Sequence, residues 1–282
     1  MRRLYGFVGL LFAWELAARG YADPALPPVS VVLPALFELL LLGDAWADIL
    51  ASLRHVLVGF SLASVVGMSL GLLLTQFRWL DAVLMPLVDA MRPIAALTLF
   101  PLLIIIFGLG LWSKVFIIFW TAWPAILLNT AQGIYAVDEQ VVEAAALDGA
   151  GRWRSLAFIQ LPLAAPTILT GLRIGMSGGW ISLVSAEMLG GSVGLGYAIL
   201  SYSQTFRYPE MYATIILIAL LGLSMNMFLF AIQKGLDYRA TRPFMPMGLS
   251  SGLFGRVFGG RRAASRPGRP TADGALRQFP RV

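Results

Sequence analysis

The sequence predicts an all-α membrane protein with six transmembrane helices. Three observations carry that reading. Hydrophobic residues make up 58% of the 282 positions and charged residues only 13%, where a soluble domain carries about a quarter. The apolar residues fall in long blocks, five of which reach about 20 residues, enough to cross roughly 30 Å of hydrocarbon. Backbone polar groups in lipid must be paired internally, so segments of this kind are helices rather than strands.

Taken in order, residues 1–20 form the first element. Leu4–Ala18 is apolar apart from Glu15 and follows Arg2-Arg3. The same layout occurs in secretory signal peptides, but no small-residue cleavage site follows and Glu15 is foreign to such a region, which favours a retained first transmembrane helix. Residues 21–54 are too polar to cross. Pro27-Pro28 and Pro34 punctuate their start, and Val31 to Leu53 mixes apolar patches with Glu38, Asp44 and Asp48, the pattern of an amphipathic helix on the extracytoplasmic surface. The core domain, residues 55–233, holds five spans: Val56–Thr75, Ile94–Ser113, Val115–Gly133, Leu163–Met188 with Arg173 inside it, and Met211–Gln233. The Gly108-Leu109-Gly110 turn and Lys114 make the second and third of these a hairpin. Residues 234–282 are a basic tail, disordered by its Gly-, Pro- and Arg-rich composition beyond Pro243.

Six helices place both termini on one side. Assigning that side to the cytoplasm puts Arg2, Arg3, Arg78, Arg152, Arg154 and the ten tail cations inside, with Arg19, Arg54, Lys114 and Arg207 outside, as the positive-inside rule requires. Because the tail follows a hydrophobic helix, its charge reads as a topology determinant beside anionic lipid rather than a nucleic-acid site. The absence of Cys excludes disulfides and thiolate chemistry, and one histidine, His55, cannot build a metal site. His55 reads as a residue at a membrane entry point. No phosphate-binding loop and no nucleophile–base constellation is present, so catalytic, cofactor and metal residues are all expected to be none.

Small residues recur at helical spacing. Gly59, Ala63, Gly67 and Gly71 form a stripe suited to close helix packing, and Gly171, Gly175 and Gly179 repeat it in the fifth helix. There, packing and the lining of a solute path are both open. Ser177, Trp180, Ser185 and Glu187 are the candidate pathway residues; Glu187 either lines the path or sits at the outer interface. Asp89 and Arg92, three apart, pair at the cytoplasmic end of the third helix. Arg173 either meets an anionic solute or snorkels to the cytoplasmic interface.

A polar gap, residues 138–162, separates the third and fourth core spans on the cytoplasmic side. Asp138 can cap a short helix and Gly149 can end it in a left-handed conformation. Trp153, Leu156 and Ile159 follow at helical spacing, and Pro162 suits the first turn of the next membrane helix. Glu143-Ala144-Ala145, Gly149, Ile159, Leu161 and Pro162 resemble, without a gap, the EAA signature of membrane subunits of bacterial ABC importers. Ser52-Leu53-Arg54 with Gly59-Phe60, Pro101-Leu102, Phe107-Gly108-Leu109-Gly110, Asn129-Thr130 with Gly133, Gly171-Leu172-Arg173, Ala186-Glu187-Met188 and Gly194-Leu195-Gly196-Tyr197 look like the nitrate/sulfonate/taurine-type branch, and together cover most of residues 50–233.

The resemblance implies a type I ABC importer permease fold with a cytoplasmic EAA coupling helix, in a bacterial plasma (inner) membrane. It implies partners: two ATPase subunits docked on the coupling loops, a second permease subunit forming a homodimer, an extracytoplasmic solute-binding protein, and membrane lipid. ATP and Mg would be used by the partner ATPase, not by this chain. The chain departs from the branch where Ala95 replaces a frequent proline, which implies a smoother third helix, and where Ala146 replaces a frequent arginine. The competing class is an ion-gradient-driven secondary transporter or channel, disfavoured because the central membrane is nearly free of carboxylates.

Overall fold

The computed structural model describes residues 2–21, 23–43 and 45–240, and among them every regular element is helical. In chain order these are α1 (Arg2–Tyr21), α2 (Val29–Leu41), α3 (Trp46–Gln76), α4 (Arg78–Met91), a 3₁₀ turn (Ala96–Leu99), α5 (Phe100–Phe107), α6 (Leu111–Tyr135), α7 (Glu139–Leu147), α8 (Arg152–Ser155), a π turn (Leu156–Gln160), α9 (Leu161–Gly190), α10 (Leu195–Gln204) and α11 (Tyr208–Ala240). Four helical stretches are long and apolar enough to cross a membrane: Trp46–Gln76, Leu111–Tyr135, Arg152–Gly190 and Tyr208–Gly235. A fifth span arises if α4 and the 96–107 segment, bent by 84°, are counted as one.

α6 is the axis of the bundle, and the two small-residue stripes explain why. A Cβ on Gly67 would lie 2.9 Å from the Trp123 carbonyl, and one on Gly71 2.7 Å from Thr130 Cβ. Gly59 meets Ile118 in the same way, so α3 packs parallel to α6 with backbones nearly touching. On the other side Gly171 faces Asn129, Gly175 faces Ile126 and Gly179 faces Ile118, so α9 packs antiparallel. Since lipid supplies no hydrophobic drive between helices, this close approach is the source of their dispersion contact. The glycine face of α9 is therefore packed, not open.

Three expectations change. The single span Ile94–Ser113 is replaced by a broken one. Pro93 cannot donate to the carbonyl of Asp89, and Ala95 is extended at φ −62°, ψ 128°, so the chain turns where Ala95 implied a smoother helix. The Asp89–Arg92 pair, 3.6 Å apart, sits at this elbow. The amphipathic segment of residues 21–54 is divided: its last part is the first turns of α3, and α2 buries Val29, Val32, Leu36 and Leu39 while its outer face shows Val31, Leu33, Phe37 and Leu41. That face suits lipid rather than water. The basic segment of residues 234–282 starts within α11, which continues to Ala240; residues 241–282 lie outside the described residues.

α1 joins the bundle through the residue that looked foreign to it. The Glu15 carboxylate accepts hydrogen bonds from the Ser30 amide (3.1 Å) and hydroxyl (2.8 Å) in the first turn of α2, and it pairs with Arg19 at 2.6 Å. Trp14 packs against Tyr212 of α11, with ring centroids 5.7 Å apart.

Candidate functional site

The polar gap folds as a helical hairpin at the end of the bundle where α3 and α6 finish. Asp138 caps α7, its side chain accepting from the Gln140 amide at 2.9 Å. Gly149 ends it at φ +83°, with Gly149 N–H bonded to Ala146 O and Ala150 N–H to Ala145 O, both 3.0 Å. That pair of bonds is a Schellman motif, which requires a left-handed residue at the glycine position. Ala145 is buried, whereas Glu143, Ala144 and Gly149 face outward. Leu147 (89% exposed), Trp153 (59%) and Phe158 (76%) add an apolar surface away from the helix bundle. Leu147 and Phe158 escaped sequence reasoning because periodicity gave no reason to separate them from ordinary loop apolar residues.

The second half of the hairpin is continuous with the membrane helix. Ile159 and Leu161 are half-buried, Pro162 is exposed, and α8 passes into α9 through the π turn, where Leu161 N–H bonds Leu156 O. Pro162 has no N–H to offer the Phe158 carbonyl, and a widened turn accommodates that loss. Movement of α8 is thereby movement of the start of α9. Arg152 adds a tie to another helix: its Nε donates to Gln76 Oε1 at 2.7 Å and its Nη2 to the Gln76 carbonyl.

At the opposite end, residues far apart in sequence meet in one buried knot. Glu187 has no exposed surface. Its carboxylate accepts from Ser52 Oγ (2.9 and 2.8 Å), His55 Nδ1 (3.0 Å) and the Gly196 amide (3.0 Å). Ser52 Oγ in turn accepts from Leu195 N–H at 2.9 Å, and Asp48 Oδ1 from Gly194 N–H at 2.7 Å. The first amides of α10, which no helical carbonyl can satisfy, are thus capped by side chains of α3 and α9. Gly194 is the N-cap, at φ +124°, and a Cβ there would lie 2.5 Å from the Glu187 carboxylate. Three of the sequence motifs, around Ser52, Glu187 and Gly194–Gly196, converge here. Glu187 is accordingly enclosed rather than interfacial, and His55 is its buried partner. Lys114, 4% exposed, is buried at this end too.

The other candidate pathway residues do not share one face. Ser177 and Trp180 line a cleft of about 300 Å³ between α9 and α11 with Gly222 and Asn226. Ser185 bonds the Ile181 carbonyl at 3.1 Å. Arg173 is held by α11, donating to Asn226 Oδ1 and Gln233 Oε1, each at 3.0 Å, and lying 4.9 Å from the Phe230 ring centre. A larger cavity of about 600 Å³ opens between the Met91–Leu97 elbow, α6 and α9; its polar lining includes Arg92, Thr121, Asn129, Gln132 and Ser182. The sequence reading missed it because it assumed an unbroken helix where the elbow stands.

A bundle of helices long and apolar enough to cross a membrane, with a polar hairpin at one end, defines a membrane protein. The chain belongs to the family of binding-protein-dependent transport system inner membrane components, whose family model matches residues 63–242. It is 37% identical over 238 residues to a protein of Methanocaldococcus jannaschii named as an ABC transporter permease, covering 82% of this chain and 86% of that one. It is 30% identical over 229 residues to the taurine transport system permease of Escherichia coli (79% and 83% covered) and 32% over 244 residues to the bicarbonate transport system permease of Synechococcus elongatus (82% and 87%). In fold it is similar to the inward-facing MetNI methionine ABC transporter, with a TM-score of 0.57 at 18% identity over 69% of this chain and 98% of that one. The chain is therefore an ABC importer permease subunit of the inner membrane, in a family that implies ATPase and solute-binding partners.

Proposed function

We propose that this chain moves a small solute across the membrane as half of a permease pair, with α7 as the EAA coupling helix seated in a partner ATPase. The observation that carries this is the hairpin itself. A Schellman-terminated helix presents Glu143, Ala144 and Gly149, and the exposed Leu147, Trp153 and Phe158 offer apolar area to a protein partner. Small residues let the helix seat deeply, and Glu143 can meet a cation of the partner. ATP and Mg act in that partner; this chain supplies the lever.

The orientation that follows puts the hairpin and both termini in the cytoplasm, with six membrane helices if α1 crosses as well. A homodimer would place two hairpins against two ATPases. The Met91–Leu97 cavity, with α6 residues Thr121, Asn129 and Gln132, is the stretch of this chain best suited to pass a polar solute, and Ser177 and Trp180 flank a second cleft. The cargo we propose is a small anion or related molecule of the sulfonate, taurine or nitrate kind, delivered by a solute-binding protein; relatives named as taurine and bicarbonate permeases support that class, and one named as a riboflavin permease widens it.

Replacing Gly149 by valine tests the docking role. A β-branched residue at φ +83° costs about 1–3 kcal/mol of local strain and should unseat the end of α7. Membrane insertion should persist, while ATPase co-purification and hydrolysis stimulated by the binding protein fall. Normal stimulated hydrolysis in reconstituted vesicles would refute the docking model.

A further inference from the structure

We infer that Arg152 is a positioning residue that carries movement of the hairpin into α4 and so into the wall of the 600 Å³ cavity. The inference rests on the hairpin being the ATPase contact.

Arg152 is the first residue of α8, yet its interactions lie on α3 and the residue after it. Nε donates to Gln76 Oε1 at 2.7 Å, Nη2 donates to the Gln76 carbonyl, and the guanidinium lies 5.8 Å from the centre of the Phe77 ring. The Gln76 carbonyl belongs to the last turn of α3, where helical partners run out and a cation is favoured. A planar guanidinium can hold side chain and backbone of one residue together, which an ammonium does less well.

Gln76 and Phe77 form the joint between α3 and α4. Phe77 is extended (φ −128°, ψ 103°), which ends α3, while its carbonyl accepts the Leu80 and Asp81 amides that begin α4. The two arms of the joint differ in freedom. α3 is locked on α6 through Gly59, Gly67 and Gly71. α4 fully buries only Val88, with Leu80, Leu84 and Met91 packed half-buried against the same cluster. It is therefore the more lightly held arm and the one that can swing. Its 14 residues span about 21 Å, and its far end is the Met91–Leu97 elbow that lines the cavity. A hairpin displaced by a docked ATPase must either break both Arg152 bonds or drag the joint with it, and the second course rotates α4 about Phe77.

The chain has no cysteine, so Ala95→Cys, at the exposed elbow, is a clean reporter. The full permease carrying it is purified with its ATPase subunits, placed in nanodiscs, and labelled with a membrane-impermeant maleimide without nucleotide and after trapping with ATP and vanadate. With Arg152 present, trapping should change the labelling rate severalfold. Arg152→Ala should keep ATPase co-purification and hydrolysis but lose that change. Gln76→Ala, which leaves the backbone bond, should lose part of it, and the double variant should be no worse than Arg152→Ala alone, since the two residues act as one unit. A nucleotide response preserved in Arg152→Ala, additive effects of the two substitutions, a reporter that ignores nucleotide in the Arg152 background, or loss of ATPase from Arg152→Ala would each overturn the latch. Absence of any ATPase from the complex with Arg152 intact would instead overturn the underlying reading, and the latch with it.

Discussion

Glu187 sits where hydropathy places an interface and where the structure places a keystone. Both of its carboxylate oxygens accept from donors on other elements: Ser52 and His55 from α3, and the Gly196 amide from α10. Opposite a carboxylate, which only accepts, His55 Nδ1 is the protonated nitrogen. Replacing Glu187 by leucine leaves those donors buried and unpaired, at about 1–3 kcal/mol per group, and should lower the thermal aggregation temperature of the detergent-solubilised protein markedly. Glu187→Gln retains an acceptor oxygen and should lose less, with ATPase co-purification unchanged; equal losses for the two would show that shape, not hydrogen bonding, holds the knot. Gly194→Ala should also destabilise, because its Cβ would strike that same carboxylate. Sequence reasoning could pick out Ser52, Glu187 and Gly194–Gly196 one by one, as parts of a resemblance. It had no means of joining Ser52 to a partner 135 residues away, since periodicity describes a helix face and not the neighbour that face meets.

Among the elements, the glycine stripes were the most legible feature, because a four-residue repeat of small side chains lies on one helix face and suits close backbone approach in lipid. The structure assigns both stripes to α6, which settles the choice left open for the fifth helix in favour of packing. Gly67→Leu should force α3 off α6 and cost roughly 1–3 kcal/mol, as overpacking does. Gly9→Leu in α1, where a Cβ meets nothing within 4 Å, is the matched control, and thermal unfolding in detergent would compare them. Similar losses at both sites would mean that the stripe is not a packing seam. The α4–α5 elbow was the least legible element. The apolar span read as Ile94–Ser113 begins at the elbow itself, so hydropathy disclosed neither α4 nor the 84° bend between it and the 96–107 segment. Asp138, Gly149 and Pro162, by contrast, were readable because capping chemistry is local: the N-cap bond, the left-handed glycine and the proline in the first turn all depend on residues within one or two turns.

At the scale of the whole molecule, the hairpin of residues 138–162 and the Glu187 knot occupy opposite ends of the bundle, since α9 begins at one and finishes at the other. Its 30 residues extend about 45 Å, more than the roughly 30 Å hydrocarbon core. The two ends therefore face different aqueous compartments if α9 crosses once. By the positive-inside rule, the charge asymmetry of the sequence, with Arg152 and Arg154 in the hairpin and ten cations from Lys234 onward, predicts a cytoplasmic hairpin end. Single-cysteine variants of this cysteine-free chain can check both statements together. Leu147→Cys, at a site 89% exposed on the hairpin, should react with an impermeant thiol reagent in inside-out vesicles and stay protected in intact spheroplasts. Val193→Cys, 42% exposed beside the knot, should show the reverse. Reaction of both from one side would break the single crossing of α9, and with it the lever that joins an ATPase on one face to a solute path opening on the other. Reaction in the opposite sense would keep the lever but put its handle in the wrong compartment for a cytoplasmic motor.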